Sequence, residues 1–457
     1  MIRNKYIALY IKVIVLVIVS LQVSCSKYLD KKTSTNVAVP STLDDLQAVL
    51  DDQSANGRSG QFPEFVADNY YVNTSTWTNL SEDLRNNYIW ASNAVITTNY
   101  GISWGNPYSA IYEANFVLDQ FPTIDYSEAD VAKANNIKGT ALFYRAFMFY
   151  GLAQVFCKPY TSTAATDLGI VLKTSSDVTA SVSRATVQQT YDQIISDLKS
   201  AADLLPVTSL YNTRPNKYAA YALLGRVYLS MRDYSNALVN TNAVLSAYST
   251  LLDYNSLSGT LPANPLSNGE ILFLSSYILA ETFNAEHTAI IDSTLYLSYN
   301  VNDWRRSMFY GDNGNGTAYW KGSYFGMSNY RIFDGVATDE VYLIRAECRA
   351  RIGDVTGAMS DLNTLLRTRY KTGTFTDLTA ADANDALNKV LVERRKELAF
   401  RGLRWSDLRR LNLEGANITL KRVINNTMYT LPPNDVRWVL LIPDVEISRS
   451  GITQNPR

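Results

Sequence analysis

A mostly α fold is expected, in which helical hairpins form a scaffold interrupted by long irregular insertions; three observations predict it. Residues 216–248 read NKYAAYALLGRVYLSMRDYSNALVNTNAVLSAY. Tyr221, Leu224 and Tyr228 there stand at i, i+3 and i+7 and line one face of a helix. A second helix is expected over 234–245, and Gly225 and Ala237 are the small residues that let two antiparallel backbones approach. Residues 338–370 repeat this layout: Tyr342 replaces Tyr221, Ala346 precedes Ala358 by the same interval, and Gly353-Asp354 makes the turn. An earlier copy reads as split, with residues 138–155 as its first helix and residues 186–205 as its second, beyond an insertion. Ala146 holds the small position there, and Thr186 and Gln189 form a capping box.

This spacing fits the tetratricopeptide pattern, whose unit is about 34 residues. One hairpin cannot bury its own apolar face, so the copies are expected to stack. Ahead of them, Arg3, Lys5 and Lys12 precede or interrupt an apolar run that closes on Ser20-Leu21-Gln22-Val23-Ser24-Cys25. A basic start and a short apolar core read as a secretory signal over residues 1–24. Cys25 after Ser24 resembles the bacterial lipoprotein cleavage site, where the cysteine is lipidated, although Gln22 stands where that motif has Leu. Residues 26–40 are polar and aperiodic, as a tether is, and 41–50 read as a short helix. Two irregular stretches follow, near 56–108 and 256–336. The first holds Tyr70, Tyr71, Trp77, Tyr88, Trp90 and Trp104 among polar residues. In the second, Gly, Asn and aromatics alternate as in a ligand-facing loop.

Composition narrows the function. A formal net charge of −1 and the lack of any long basic run leave no electrostatic footprint for nucleic acid. The chain has 31 tyrosines, and Tyr and Trp offer flat apolar faces with a polar handle that suit binding surfaces. His287 is the only histidine, so a histidine-rich metal site is excluded and any Ser-His or Cys-His arrangement depends on one residue. Asp312-Asn313-Gly314-Asn315-Gly316 fails calcium-loop spacing, and its glycines favour a turn. No motif marks a carboxylate pair for glycoside hydrolysis. Cys157 and Cys348 read as two buried thiols. The acids and arginines of residues 393–408 pack at helical spacing, so ion pairs within the block are expected rather than chemistry.

Several blocks resemble the SusD/RagB family of outer-membrane lipoproteins of Bacteroidetes. They are Cys25 with Tyr28-Leu29-Asp30, Tyr144-Arg145-Ala146-Phe147, and DEVYLIRAECRA from Asp339. The most specific runs Glu393-Arg394-Arg395, Glu397-Leu398-Ala399-Phe400-Arg401-Gly402, Arg404-Trp405 and Asp407-Leu408. Glu446-Ile447 and Gln454-Asn455-Pro456 complete the set. The resemblance spans the mature chain and departs at Arg401, where an acid is common, and at Lys27. It implies one SusD-like domain over 25–457, with ligand-facing insertions near 56–108 and 256–336. It also implies a non-enzymatic lipoprotein that is anchored in the outer membrane through lipid on Cys25. Such a protein captures an oligosaccharide, or in some relatives a peptide, and acts as the lid of a SusC-type TonB-dependent transporter, without cofactor. A surface glycosidase and a purely structural adaptor are the rival classes. For a neutral glycan, Trp77, Trp104, Trp304, Trp320 and Tyr324 are the expected platforms, and Asn73, Arg305 and Asn315 the edge partners.

Overall fold

Successive helices stack along the chain because each hairpin leaves an apolar face for the next. A computed structural model describes residues 40–55, 62–97, 104–262, 264–278, 288–322, 324–326 and 331–457. The expected signal, Cys25 and His287 lie outside the described residues. Within the compact unit of residues 42–457, α1 (Leu43–Ala55) packs on α2 (Asn106–Gln120) and α3 (Val131–Phe156). Next come α4 (Val187–Leu204), then the hairpins α5 (Lys217–Met231) with α6 (Tyr234–Leu245) and α7 (Thr338–Arg351) with α8 (Val355–Arg367). Helices α9 (Ala383–Glu397) and α10 (Arg404–Leu413) follow. Each of α3 to α8 packs on the next, and α9 lies against α7.

The starts of these helices are fixed by side chains that accept the first free amides. The Asn216 side chain accepts from Ala219 N–H at 2.9 Å, that of Asp233 from Asn236 at 3.1 Å, and that of Asp354 from Gly357 at 2.8 Å. The capping box of Thr186 and Gln189 is present in both directions. Gly353 makes the α7–α8 turn at φ +86°, and Arg232 takes the same left-handed conformation between α5 and α6. Gly225 lies where an added Cβ would sit 2.9 Å from Thr241 Cγ2 of α6, so the small residue is a condition of that packing. Ala237, Ala346 and Ala358 are fully buried. The first hairpin is split as expected. The segment between α3 and α4 carries the antiparallel strands Leu168–Val171 and Arg184–Thr186. At mid-α3, Arg145 reaches Asp197 of α4 at 2.7 Å and Asn115 of α2 at 2.9 Å, pinning three helices at one buried point.

The two stretches expected to be irregular contain short helices and strands, and they meet. Strand β1 (Tyr70–Tyr71) pairs with β2 (Ile290–Ile291), and β3 (Tyr310–Asp312) with β4 (Ala318–Trp320). Ile290 opposite Tyr319 joins the halves into one antiparallel sheet of order β1-β2-β4-β3. The run from Asp312 to Gly316 is the turn of the β3–β4 hairpin, with Gly314 and Gly316 at positive φ. A last hairpin, β5 (Leu420–Ile424) and β6 (Thr427–Leu431), turns on Asn425 and Asn426, both at positive φ, where Asn is among the few residues tolerated.

Candidate functional site

Two buried arginines decide where the inserted segments can face a ligand. Arg422 enters from β5, its guanidinium lying 3.6 Å from the Tyr88 ring centre and 4.6 Å from that of Trp90. It donates to the carbonyls of Phe65, Ala67 and Tyr88, which locks the β5–β6 hairpin onto the first insertion. Arg305 is fully buried in the second insertion, and reaches Asp303 at 2.7 Å, Glu393 at 2.7 Å and Glu397 at 2.9 Å. Arg369 continues the network to Glu397 and Glu270, each at 2.7 Å. Tyr324 hydrogen-bonds Glu270 and Asp339, and Arg401 pairs with Asp339 at 3.0 Å. Buried charge is tolerated only when paired and hydrogen-bonded, and this chain of pairs ties the second insertion to α7 and α9.

The ion pairs expected of residues 393–408 therefore exist, with different partners. Glu393 and Glu397 are held by Arg305 and Arg369 from outside the block, and by Lys396 on Glu393. Arg394 pairs with Asp407 at 2.8 Å, within the block, while Arg404 and Arg395 reach out to Asp68 at 2.7 and 3.4 Å. The residue spacing allowed both arrangements, and the packed neighbours select this one.

Several expected ligand residues are corrected by their burial. Trp320 is 1% exposed and lies among the rings of Phe309, Tyr310 and Phe400. Trp104 is buried against Tyr108 and Phe156 at centroid distances of 4.9 and 5.0 Å. Tyr324 and Arg305 are spent on the charge network. None of these four offers a face or an edge to a ligand: an aromatic without a helical stripe is as readily a loop anchor as a platform. Trp304 is half-buried, donates from Nε1 to Asn255 Oδ1 at 2.9 Å and lies under Lys371. Asn315 is exposed, but its Oδ1 accepts from Thr317 in the β3–β4 turn.

Two expected residues stand near an open cleft of about 490 Å³. Its walls are β1 with Asn73 and Thr74, Asp292 after β2, and β5 with Lys421 and Val423. Tyr71 presents a ring that is 40% exposed. Asn73 is exposed and caps the short helix Thr74–Thr78, accepting from Thr76 N–H at 2.8 Å. Trp77 follows on that helix, half-buried, its Nε1 donating to the Arg85 carbonyl at 3.1 Å and its ring 5.8 Å from the Arg85 guanidinium. The cleft's carboxylates are already engaged: Asp68 by Arg404 and Arg395, and Asp292 by Arg395 at 3.2 Å. Burial alone would raise the Asp68 pKa, yet the charges of Arg404 and Arg395 hold it well below the usual carboxylate range. The β5 wall was missed in the sequence. The only local signal was the Asn425-Asn426 turn, because Leu420, Arg422 and Ile424 alternate with Lys421 and Val423 in burial but not in polarity.

Residues 27–229 match the family model described as "Starch-binding associating with outer membrane", and residues 300–457 match that of the SusD family. SusD-like protein P2 of Formosa agariphila is 26% identical over 372 residues, covering 68% of this chain and 71% of that protein. A putative sugar binding protein from Bacteroides vulgatus has a crystal structure similar to this fold at a TM-score of 0.73 and 23% identity, covering 92% of this chain and 99% of its own. A laminarin binding SusD-like protein is similar at a TM-score of 0.67 and 18% identity, covering 91% of this chain and 100% of its own. At such identities these two structures establish the fold alone.

Proposed function

The chain belongs to the SusD/RagB family, whose members are binding proteins and not enzymes, and from that premise we propose that it is a cell-surface lipoprotein. In this reading it captures an oligosaccharide and acts as the lid of a SusC-type TonB-dependent transporter. The observation that carries it is the union of the two insertions in one sheet, with an open cleft at the β1 edge. Residues far apart in sequence thereby form one surface on a rigid helical support, the arrangement in which loops carry recognition.

The chemistry of the cleft fits a neutral sugar. A sugar ring has an apolar C–H face and a rim of hydroxyls. Tyr71 supplies an exposed ring and Asn73 an amide at the edge, and Trp77 adds a half-buried ring on the adjoining helix, just beyond the cleft's walls. Asp68 and Asp292 are neutralised by arginines, so the cleft's carboxylates do not call for a cationic ligand. That a relative of this fold is described as laminarin binding, and another as sugar binding, supports the ligand class.

The test is a glycan and peptide array with the purified protein, followed by titration of the best hit. Tyr71→Ala and Trp77→Ala are each expected to cost about 1–3 kcal/mol of binding, the scale of a truncated aromatic contact. Binding should be nearly unchanged between low and high salt, because a neutral ligand leaves no charge to screen. Wild-type affinity in both folded variants would move the site elsewhere, a peptide as sole hit would replace the sugar, and cleavage of the hit would overturn the non-enzymatic reading.

A further inference from the structure

A second cavity, of about 300 Å³, lies at the C-terminal end of α3. Its walls are the loop after α3, the end of α10 and the segment around Val436 and Trp438. Leu168, Leu413, Val436 and Trp438 give the wall its apolar surface. Polar side chains complete it, among them Asn412 and Asn434, the carboxylates of Asp167 and Asp435, and Arg409. Arg409 is 3% exposed, and its two terminal nitrogens donate to the carbonyls of Gln154 and Cys157. Those carbonyls belong to the last turn of α3, where acceptors lack intrahelical donors and a cation is favoured. That explains why an arginine is there; it leaves the charge without an anion. No carboxylate of the described residues forms an ion pair with Arg409, and its Nε–H has no acceptor.

The neighbouring charges do not compensate. Lys158 and Asp167 pair with each other at 2.7 Å, and Arg437 with Asp435 at 2.9 Å. Arg184, on the adjacent strand, gives its donors to the carbonyls of Phe156, Leu168, Gly169 and Thr453 and to the Asn455 side chain. This corner therefore carries excess positive charge beside a cavity whose own carboxylates, Asp167 and Asp435, are already paired. Burial, offset only in part by the neighbouring tyrosines and Cys157, lowers the Arg409 pKa to about 10, which is the electrostatic consequence of a cation removed from water without a counter-ion.

We propose that this cavity is a second ligand site, for a small molecule that places one carboxylate at Arg409 and an apolar body against Trp438 and Leu413. Charge-assisted hydrogen bonds to a guanidinium are among the stronger polar contacts, and the ligand would supply the missing anion. The site is separate from the β1 cleft and does not depend on the ligand bound there.

The probes are phenylacetate and its amide, which share a shape and differ in charge, with glucuronate and glucose as the corresponding sugar pair. Each is titrated into the full protein by calorimetry. At least one acid is expected to bind at least tenfold more tightly than its neutral partner. Phenylacetate as the binder identifies an apolar acid, and glucuronate an acidic saccharide. Arg409→Gln removes the α3 cap and can unfold the chain, so the variant of choice is Asn434→Asp. Asn434 lines the cavity at φ +57°, a conformation that Asp also tolerates; the substitution adds a negative charge to the wall at unchanged volume and gives up only the long 3.4 Å bond from its amide to the Asn412 carbonyl. It should weaken acid binding tenfold or more while leaving affinity for the hit of the β1 cleft intact. Neither acid binding at millimolar concentration, acid and neutral partner binding within threefold of each other, or undiminished acid binding in Asn434→Asp would each overturn the proposal.

Discussion

Arg305 and Glu64 show how far residue types alone can be read. Asn302-Asp303-Trp304-Arg305-Arg306 has the composition of a binding loop, and only packing reveals that Arg305 is enclosed by Asp303, Glu393 and Glu397. Two of those partners come from α9, a distance along the chain that no local spacing encodes. Arg305→Met should leave buried carboxylates without their main cation and destabilise the fold by about 3–5 kcal/mol, read from urea unfolding; a loss below about 1 kcal/mol would mean that Lys396 and Arg369 suffice. Glu64 is the opposite case, a buried carboxylate with neutral donors: Asn69 Nδ2 at 2.7 Å and Gly402 N–H at 3.3 Å. Burial outweighs these bonds and raises its pKa to about 7. The folded protein then binds more protons than the unfolded chain between the ordinary carboxylate range and about pH 7. Stability from this group is complete below about pH 4 and falls as pH rises through about 7, by roughly 3 kcal/mol in all. Glu64→Gln should therefore be less sensitive than wild type to a change from pH 5 to pH 8 in thermal melts, and parallel curves for the two proteins would count against it.

At the scale of elements, the hairpins were legible because their signals are local. Apolar residues recur at helical spacing, Asn216, Asp233 and Asp354 stand at the starts, and small residues mark the helix contacts. Gly225 is the sharpest of these, since any Cβ there approaches Thr241 Cγ2 to 2.9 Å. Gly225→Leu is expected to cost about 1–3 kcal/mol through overpacking, with Gly151→Leu as the control, because an added Cβ at Gly151 meets nothing within 4 Å. Equal melting temperatures for both variants would show that α5 and α6 do not pack closely at this point. The inserted sheet was not legible for a physical reason. Strands of two or three residues carry no period, and the pairing of Tyr70 with Ile291 joins segments far apart in the chain. Burial of the aromatics follows from that pairing, so Trp320 in β4 became core while Tyr71 at the edge remained exposed.

For the whole molecule, the expected anchor and the proposed cleft are separable. The cleft residues all belong to the compact unit of residues 42–457, whereas Cys25 lies ahead of it. If Cys25 carries lipid, a fatty-acid probe fed to cells should label the wild type and not Cys25→Ala. A single acyl chain gives only marginal membrane binding, and stable attachment takes a second signal; a multiply acylated cysteine meets that need, so the variant should leave the membrane fraction rather than merely weaken its hold. The freed variant should still bind the array hit with wild-type affinity, because its cleft is unchanged. The wild type, extracted under gentle detergent conditions, should carry a large outer-membrane barrel with it. Equal labelling of wild type and variant would remove the lipid from Cys25, and extraction of the wild type as a lone monomer would count against the lid. Loss of ligand binding in a folded Cys25→Ala protein would show that capture requires residues ahead of the compact unit, and would move the ligand site away from the β1 edge.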